Sequence, residues 1–257
     1  MFDPKIVDIE TYNNGMKKSL IDKAFFLDKV DADIFVDFGC ADGLLIEFIE
    51  HMFPDTQCIG YDISPDQLDR AAERTSAPLF SDWNELLAHL SEVAGGKKVA
   101  VICNSLIHEV YAYGDLDSVE EFWSRIFNPV FKYVIIRDMC VSKSVNRVAD
   151  IIDVAKVRRE YDQTRLTDFE TNWGMINNNW SLVHFLLKYR YVSNWDREVK
   201  ENYLPINFEN LLLKIPTEYN IQFVDHYTLP YLRQTVKDEF DINIQDNTHV
   251  KLILKRN

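Results

Sequence analysis

The sequence predicts an α/β protein: a doubly wound, mostly parallel sheet of seven strands, with a helical insertion after the fifth. Three observations carry this. Short apolar runs alternate with segments of helical period through most of the 257 residues. Residues 34–62 read as strand, small-residue turn, helix and strand, the crossover that joins parallel neighbours. About 75 residues separate the fifth apolar run from the sixth, far more than an ordinary connection needs.

Ile34 to Phe38 is an apolar run with one acid in it, the pattern of a strand buried on both faces. It enters Gly39-Cys40-Ala41-Asp42-Gly43, where two glycines allow a sharp bend and close approach of a ligand. Leu44 to Met52 has helical spacing, with Leu44, Leu45, Phe48, Ile49 and Met52 on one face. The start of that helix presents unpaired N–H groups to the turn. Thr56 to Asp62 is the second strand, and a carboxylate at its tip suits the paired hydroxyls of a ribose. Asp62 is therefore expected to hold a nucleoside sugar.

The glycine spacing is G-x-x-x-G, not the G-x-G-x-x-G of a dinucleotide site. Asp37 and Asp42 crowd the turn, where they would repel a pyrophosphate and suit a cation such as a sulfonium with an α-ammonium group. Val36 to Gly43 resembles the first motif of the class I S-adenosylmethionine-dependent methyltransferases, and Asp62 matches the acid of their second strand. The resemblance covers about 1–138 and 207–257, which it makes the methyltransferase core, and leaves 139–206 as a helical insertion covering the acceptor. It implies an antiparallel last strand and S-adenosyl-L-methionine as cofactor. It also implies cofactor contacts from Asp37, Gly39, Cys40, Ala41, Asp42, Gly43, Asp62, Ile63, Asp82, Trp83 and Asn104.

The remaining elements follow in order. Met16 to Val30 reads as an amphipathic helix; by the resemblance Tyr12, Met16 and Lys17 reach the methionine end of the cofactor, whereas by themselves they suit a packing helix. Ser64-Pro65 opens a helix that runs to about Thr75. Ala77 to Phe80 is strand three, and Asp82 either meets the adenine or caps the helix Asn84 to Ala94. Val99 to Cys103 is strand four. Ligands of open α/β sheets bind beyond the carboxyl ends of such strands, so Asn104 to Tyr113 faces the transferred methyl group. Asn104 is not followed by Pro-Pro-aromatic, the tetrad common in base-amine methylation, and Cys103 lacks the context of a cytosine nucleophile.

His108 and Glu109 remain as candidate bases or acceptor-orienting groups, with Asp138 as a further one at the tip of strand five, Tyr133 to Ile136. Arg137 beside it suits an anionic acceptor group, an ion pair with Asp138 or pairing with the neighbouring helix. In the insertion Val145 to Tyr161, with Val148, Ile151, Ile152 and Ala155 recurring, and Leu182 to Tyr191 read as helices, and Trp173, Trp180, Arg190, Trp195 and Arg197 lie in or around them. These rings and arginines suit a flat or anionic acceptor, or simple packing. Phe208 to Leu213 and Leu232 to Phe240 are further helices, around strand six, Ile221 to Thr228; strand seven is Thr248 to Lys255.

Composition narrows the partners. The net charge is −13, which disfavours nucleic acid at long range. The insertion alone carries 10 Lys and Arg against 9 Asp and Glu, which keeps a nucleotide or RNA as the second choice behind a small molecule or protein. No apolar run approaches the roughly 18–20 residues of a membrane span, and MFDPKIVDIETY lacks a secretory pattern. Cys40, Cys58, Cys103 and Cys140 form no CxxC pair and read as reduced thiols of a cytoplasmic protein, with no metal site. The readings to be weighed are a methyltransferase acting on an O or N atom, a non-catalytic S-adenosylmethionine-binding module, and an NAD-dependent oxidoreductase.

Overall fold

The computed structural model describes residues 19–257. Its strands are Ile34–Phe38 (β1), Gln57–Tyr61 (β2), Leu79–Phe80 (β3), Val99–Asn104 (β4), Phe131–Met139 (β5), Tyr219–Tyr227 (β6) and His249–Arg256 (β7). They form one sheet in the order β3-β2-β1-β4-β5-β7-β6. β1 pairs in parallel with β2 and β4, and β4 with β5; β7 lies antiparallel between β5 and β6. The switch point falls between β1 and β4, so their carboxyl ends open a crevice there. The seven strands, the mostly parallel pairing and the antiparallel last strand are all as expected.

All of β1 is buried. Ile34, Val36 and Phe38 pack with Leu86, Leu90 and Val101 on one face, and Phe35 with Leu45, Ile46 and Ile49 on the other. This two-residue alternation fixes the register, since a slip of one would exchange the faces. Each fully buried aliphatic side chain contributes about 1.5–3 kcal/mol.

The helices before β5 are Leu20–Lys23 (α1), Leu44–Met52 (α2), Pro65–Ala72 (α3), Trp83–Val93 (α4), Ile107–Tyr113 (α5) and Leu116–Ile126 (α6). α3 starts as the sequence predicts: Ser64 accepts the Gln67 N–H and Pro65 is the first helical residue. The inner stripe of α2 is rotated from the expected one. Ile46 is buried and Met52 is 58 % exposed, because Gly60 of β2 has no Cβ and leaves room for Ile46 Cδ1. Tyr12, and Met16 and Lys17 of the helix expected over 16–30, lie outside the described residues. The rest is the short α1 followed by turns to Lys29. There Phe25 docks on Phe223 and Phe26 on Phe35.

After β5 come Ile151–Glu160 (α7), Gln163–Trp173 (α8), Asn179–Lys188 (α9) and Trp195–Glu198 (α10), then Phe208–Leu213 (α11) and Pro230–Phe240 (α12). The helix expected from 145 begins only at 151, because Asp150 caps it by accepting the Ile152 N–H at 2.7 Å. Val148, Ile151 and Ile152, expected to face inward, are exposed, and Val157 is the buried residue. α8 escaped the periodicity reading, although Asp162 caps it in the same way. Val157, Leu166, Phe169 and Phe185 build a second core, which α12 and the loop after it join through Val236, Phe240, Ile242 and Ile244. Among the described residues no helix is long and apolar enough to cross a membrane. All four cysteines are buried and unbridged.

Candidate active site

The turn after β1 is held open from below. Gly39, Ala41 and Gly43 all take positive φ, at 87°, 46° and 75°. The N–H groups of Gly39 and Cys40 donate to the Tyr61 carbonyl at 2.7 and 3.1 Å. Asp62 then locks the turn: Oδ2 accepts the Ala41 N–H and Oδ1 the Ser64 N–H, both at 2.9 Å. Each oxygen retains a second acceptor position for a ligand hydroxyl. Burial raises the Asp62 pKa although these two N–H groups oppose it. Ile63 beside it is 67 % exposed, an unpacked apolar surface.

A pocket lies between this turn and the end of β4. Lys23, Asp37, Gly39, Ala41, Asp42 and Asn104 line it, with Cys40 and α1 contributing. Asp37 is buried; burial pushes its pKa up to about 7, against the pull of Lys23 and with a push from Asp62. Burial and Arg137 lower the Lys23 ammonium to about 8, although Asp37, Asp138 and Glu109 favour its charge. Asn104 Nδ2 donates to the Lys23 carbonyl at 3.4 Å. Its Oδ1 is buried and has no hydrogen-bond partner among the described residues. Asp42 faces Arg74 at 3.1 Å, too poorly aligned to count as a hydrogen bond. Both turn carboxylates therefore have a cation nearby, which a reading of the sequence without Lys23 and Arg74 did not supply. An orphaned carbonyl oxygen, a carboxylate and a glycine surface suit a ligand with an ammonium group on a nucleoside.

Of the expected cofactor residues, Gly43, Asp62, Ile63, Asp82 and Trp83 are outside this lining. Asp82 is exposed and caps α4, accepting the N–H groups of Asn84 and Glu85 at 2.8 and 3.0 Å. The Trp83 ring packs edge-on against Phe38 and Tyr61, under the Arg125 guanidinium.

Residues 36–129, from β1 to the turn before β5, match the family model of a methyltransferase domain. Over that stretch the chain is similar to a methyltransferase domain, and its sheet order is that of the class I methyltransferase fold. In fold, the chain is similar to the SAM-dependent methyltransferase from Archaeoglobus fulgidus, at 12% identity and a TM-score of 0.50, over 95% of this chain and 99% of that one. It is also similar to the plantazolicin methyltransferase BamL, solved with a triazolic desmethylPZN analogue and SAH, at 8% identity and a TM-score of 0.50, over 96% and 88% of the two chains. At these identities the likeness is one of fold. No curated protein matches the sequence.

A second cluster begins three residues past Asn104, where α5 carries His108. Asp138 organises this corner. Its Oδ2 accepts the Ile107 N–H at 2.7 Å, and its Oδ1 accepts the Met139 N–H at 2.7 Å and contacts His108 Nδ1 at 2.6 Å. Burial alone would raise Asp138, but His108 and these donors outweigh it and lower the pKa. His108 Nε2 faces Glu201 Oε1 at 3.3 Å. Burial would lower His108, yet Asp138, Glu201 and Glu109 raise it to about 9. As an imidazolium between carboxylates it orients and donates; it is a poor base near neutrality. β5 runs on through Met139, so Arg137 and Asp138 alternate to opposite faces. Arg137 does not pair with Asp138. Its Nε donates to Asp22 at 2.8 Å and its Nη1 to Ser105 at 2.9 Å.

Glu109 contacts Arg197 at 3.2 Å, and Arg197 reaches Glu198 at 2.9 Å and Glu201 at 3.3 Å. This links α5 to the segment after α9. Glu201 was missed because 92 residues of chain separate it from Glu109 and nothing local marks it. Among the described residues, one group of side chains has the proximity of metal ligands: His108, Glu109 and Glu201, with ligand atoms within 4.8 Å of one another.

Proposed function

We propose that the chain is an S-adenosylmethionine-dependent methyltransferase that acts on an oxygen or nitrogen atom of a small-molecule or protein acceptor. The acceptor lies between the end of β4 and a cover formed by residues 139–206, on a core of 1–138 and 207–257. S-adenosylmethionine supplies the electrophilic methyl group. Asp37 and Asn104 hold its ammonium end, Gly39, Cys40, Ala41, Asp42 and Gly43 form the cradle, and Asp62 with Ile63 takes the nucleoside. Asp82 and Trp83 border the outer end. His108 meets the acceptor, and Asp138 and Glu109 position it.

The observation that supports a small molecule or protein over RNA is the direction of the insertion's rings and arginines. Trp173 Nε1 donates to the Val199 carbonyl at 2.6 Å, Trp195 is buried and donates to Asp168, and Arg197 is spent on carboxylates. Arg190 stacks on Tyr231. Side chains used for packing give a nucleic acid neither a stacking platform nor a row of cations. Incubating cell extract with methyl-labelled S-adenosylmethionine tests this. The label is expected to appear in small-molecule or protein fractions and to survive nuclease. Label released by nuclease, with acceptor affinity falling steeply with salt, would reverse the choice.

A further inference from the structure

We propose that His108, Glu109 and Glu201 bind one divalent transition-metal ion, which holds an oxygen atom of the acceptor. The role assigned to the ion rests on the methyltransferase reading; its binding does not. This departs from the sequence expectation of no metal.

The first argument is orientation. Asp138 fixes the His108 ring by its 2.6 Å contact with Nδ1, which leaves Nε2 facing Glu201. A carboxylate on the far nitrogen is the usual support of a metal-binding histidine, setting its tautomer and ring plane. The second is an unbonded oxygen. Glu201 is 1 % exposed, and its Oε1 accepts no hydrogen bond although Nε2 is 3.3 Å away. The two atoms are close but not aimed at each other, as ligands converging on a third point are. Donors at about 2.1 Å from an ion lie about 3 Å apart, which matches this separation.

The third argument is charge. Asp138, Glu109, Glu198 and Glu201 crowd one buried corner, and Arg197 contacts three of them. Arg197 lies against Glu201 Oε2, the oxygen that also takes the Tyr113 hydroxyl, and so leaves Oε1 toward His108. The nearby Lys188 ammonium donates instead to the backbone carbonyls of Glu198 and Glu201, at 3.0 and 2.7 Å. The direct contacts of these carboxylates are to Arg197 and His108, while the Lys23 and Lys188 ammoniums act on them from farther away. One imidazole and two carboxylates suit manganese(II) or iron(II) better than a thiolate-seeking ion. Three protein ligands leave positions open for the acceptor. On such an ion an acceptor hydroxyl ionises more readily. Its O–H proton leaves to water, the O–C bond forms, and the C–S bond breaks to give the neutral thioether.

Titration of the full chain with manganese(II) alone, followed by electron paramagnetic resonance, tests the site. One ion per chain is expected, weakened at least tenfold in Glu201→Gln and in His108→Ala, with Glu201→Asp recovering part of the loss. Calorimetry with S-adenosylhomocysteine accompanies each variant and shows whether it is folded. Manganese binding that is absent from the wild type, or equal in wild type and both substituted chains, overturns the proposal. Wild-type protein that binds manganese but not S-adenosylhomocysteine would instead overturn the cofactor assignment and leave the metal site standing.

Discussion

Asp62 and Ala41 are joined across 21 residues by one hydrogen bond, Ala41 N–H to Asp62 Oδ2 at 2.9 Å. The acid at the end of β2 thus shapes the turn after β1, and it is also the residue proposed to meet the sugar. Asp62→Ala should remove both roles. The expected result is loss of S-adenosylhomocysteine affinity by more than tenfold and a fall in stability of about 1–3 kcal/mol from two unsatisfied N–H groups. Calorimetry and denaturant unfolding read the two effects separately. Undiminished ligand binding would remove Asp62 from the site.

Gly43 is a stricter position than Gly39. A Cβ at Gly43 would lie 3.1 Å from the Ala71 backbone Cα, whereas one at Gly39 meets only the movable tip of Leu106 at 3.0 Å. Both have positive φ, which costs an L side chain about 1–2 kcal/mol. Gly43→Ala should therefore destabilise more than Gly39→Ala in urea, while Gly39→Ala, inside the pocket lining, should weaken ligand binding more. The reverse order on either measurement would contradict this assignment.

Asp37 sets the pH dependence. Its folded pKa of about 7 lies above the ordinary 3.8, raised mainly by burial and held back by Lys23 of α1. The folded chain keeps a proton that the unfolded chain releases, so this group's contribution to stability falls as pH rises through that window. Cofactor affinity should move the other way. The ionised carboxylate attracts the ligand's ammonium, so S-adenosylhomocysteine binding should strengthen up to tenfold per pH unit below about 7 and level off above it. Calorimetry from pH 5.5 to 8 should show that slope in the wild type and none in Asp37→Asn.

Asp22 fastens α1 to the sheet. It accepts from Arg137 at 2.8 Å and the Tyr227 hydroxyl at 2.6 Å, and pairs with Lys251 at 2.6 Å. Asp22→Ala strands these cations and should cost on the order of 3 kcal/mol. Because Lys23 follows it in the pocket wall, amide exchange in 20–23 should accelerate and ligand affinity should fall. Unchanged exchange would show that the apolar side of α1 is enough to hold it.

The sheet was legible because β1, β2, β4 and β5 are short apolar runs that no other arrangement buries as well. The turn was legible because Gly39, Gly43 and Asp62 act locally or at fixed spacing. What stayed hidden depends on distance. Lys23 and Arg74 meet Asp37 and Asp42 only after folding, and no local pattern announces them. Glu201 is in the same position with respect to His108. The apolar Val148, Ile151 and Ile152 imitated an inward stripe, while the caps Asp150 and Asp162, which set the true boundaries, are single residues that periodicity does not weigh. Trp173 and Trp195 suited either an acceptor face or packing in sequence, and both rings pack.

The second core draws on two distant stretches of chain. Val236, Phe240, Ile242 and Ile244, which come after β6, share it with Val157, Phe169 and Phe185. A trimmed enzyme lacking 139–206 would therefore leave a greasy helix face wet and invite clumping. Anyone grafting this cap onto another scaffold, or pruning it from this one, has to move α12 along with it.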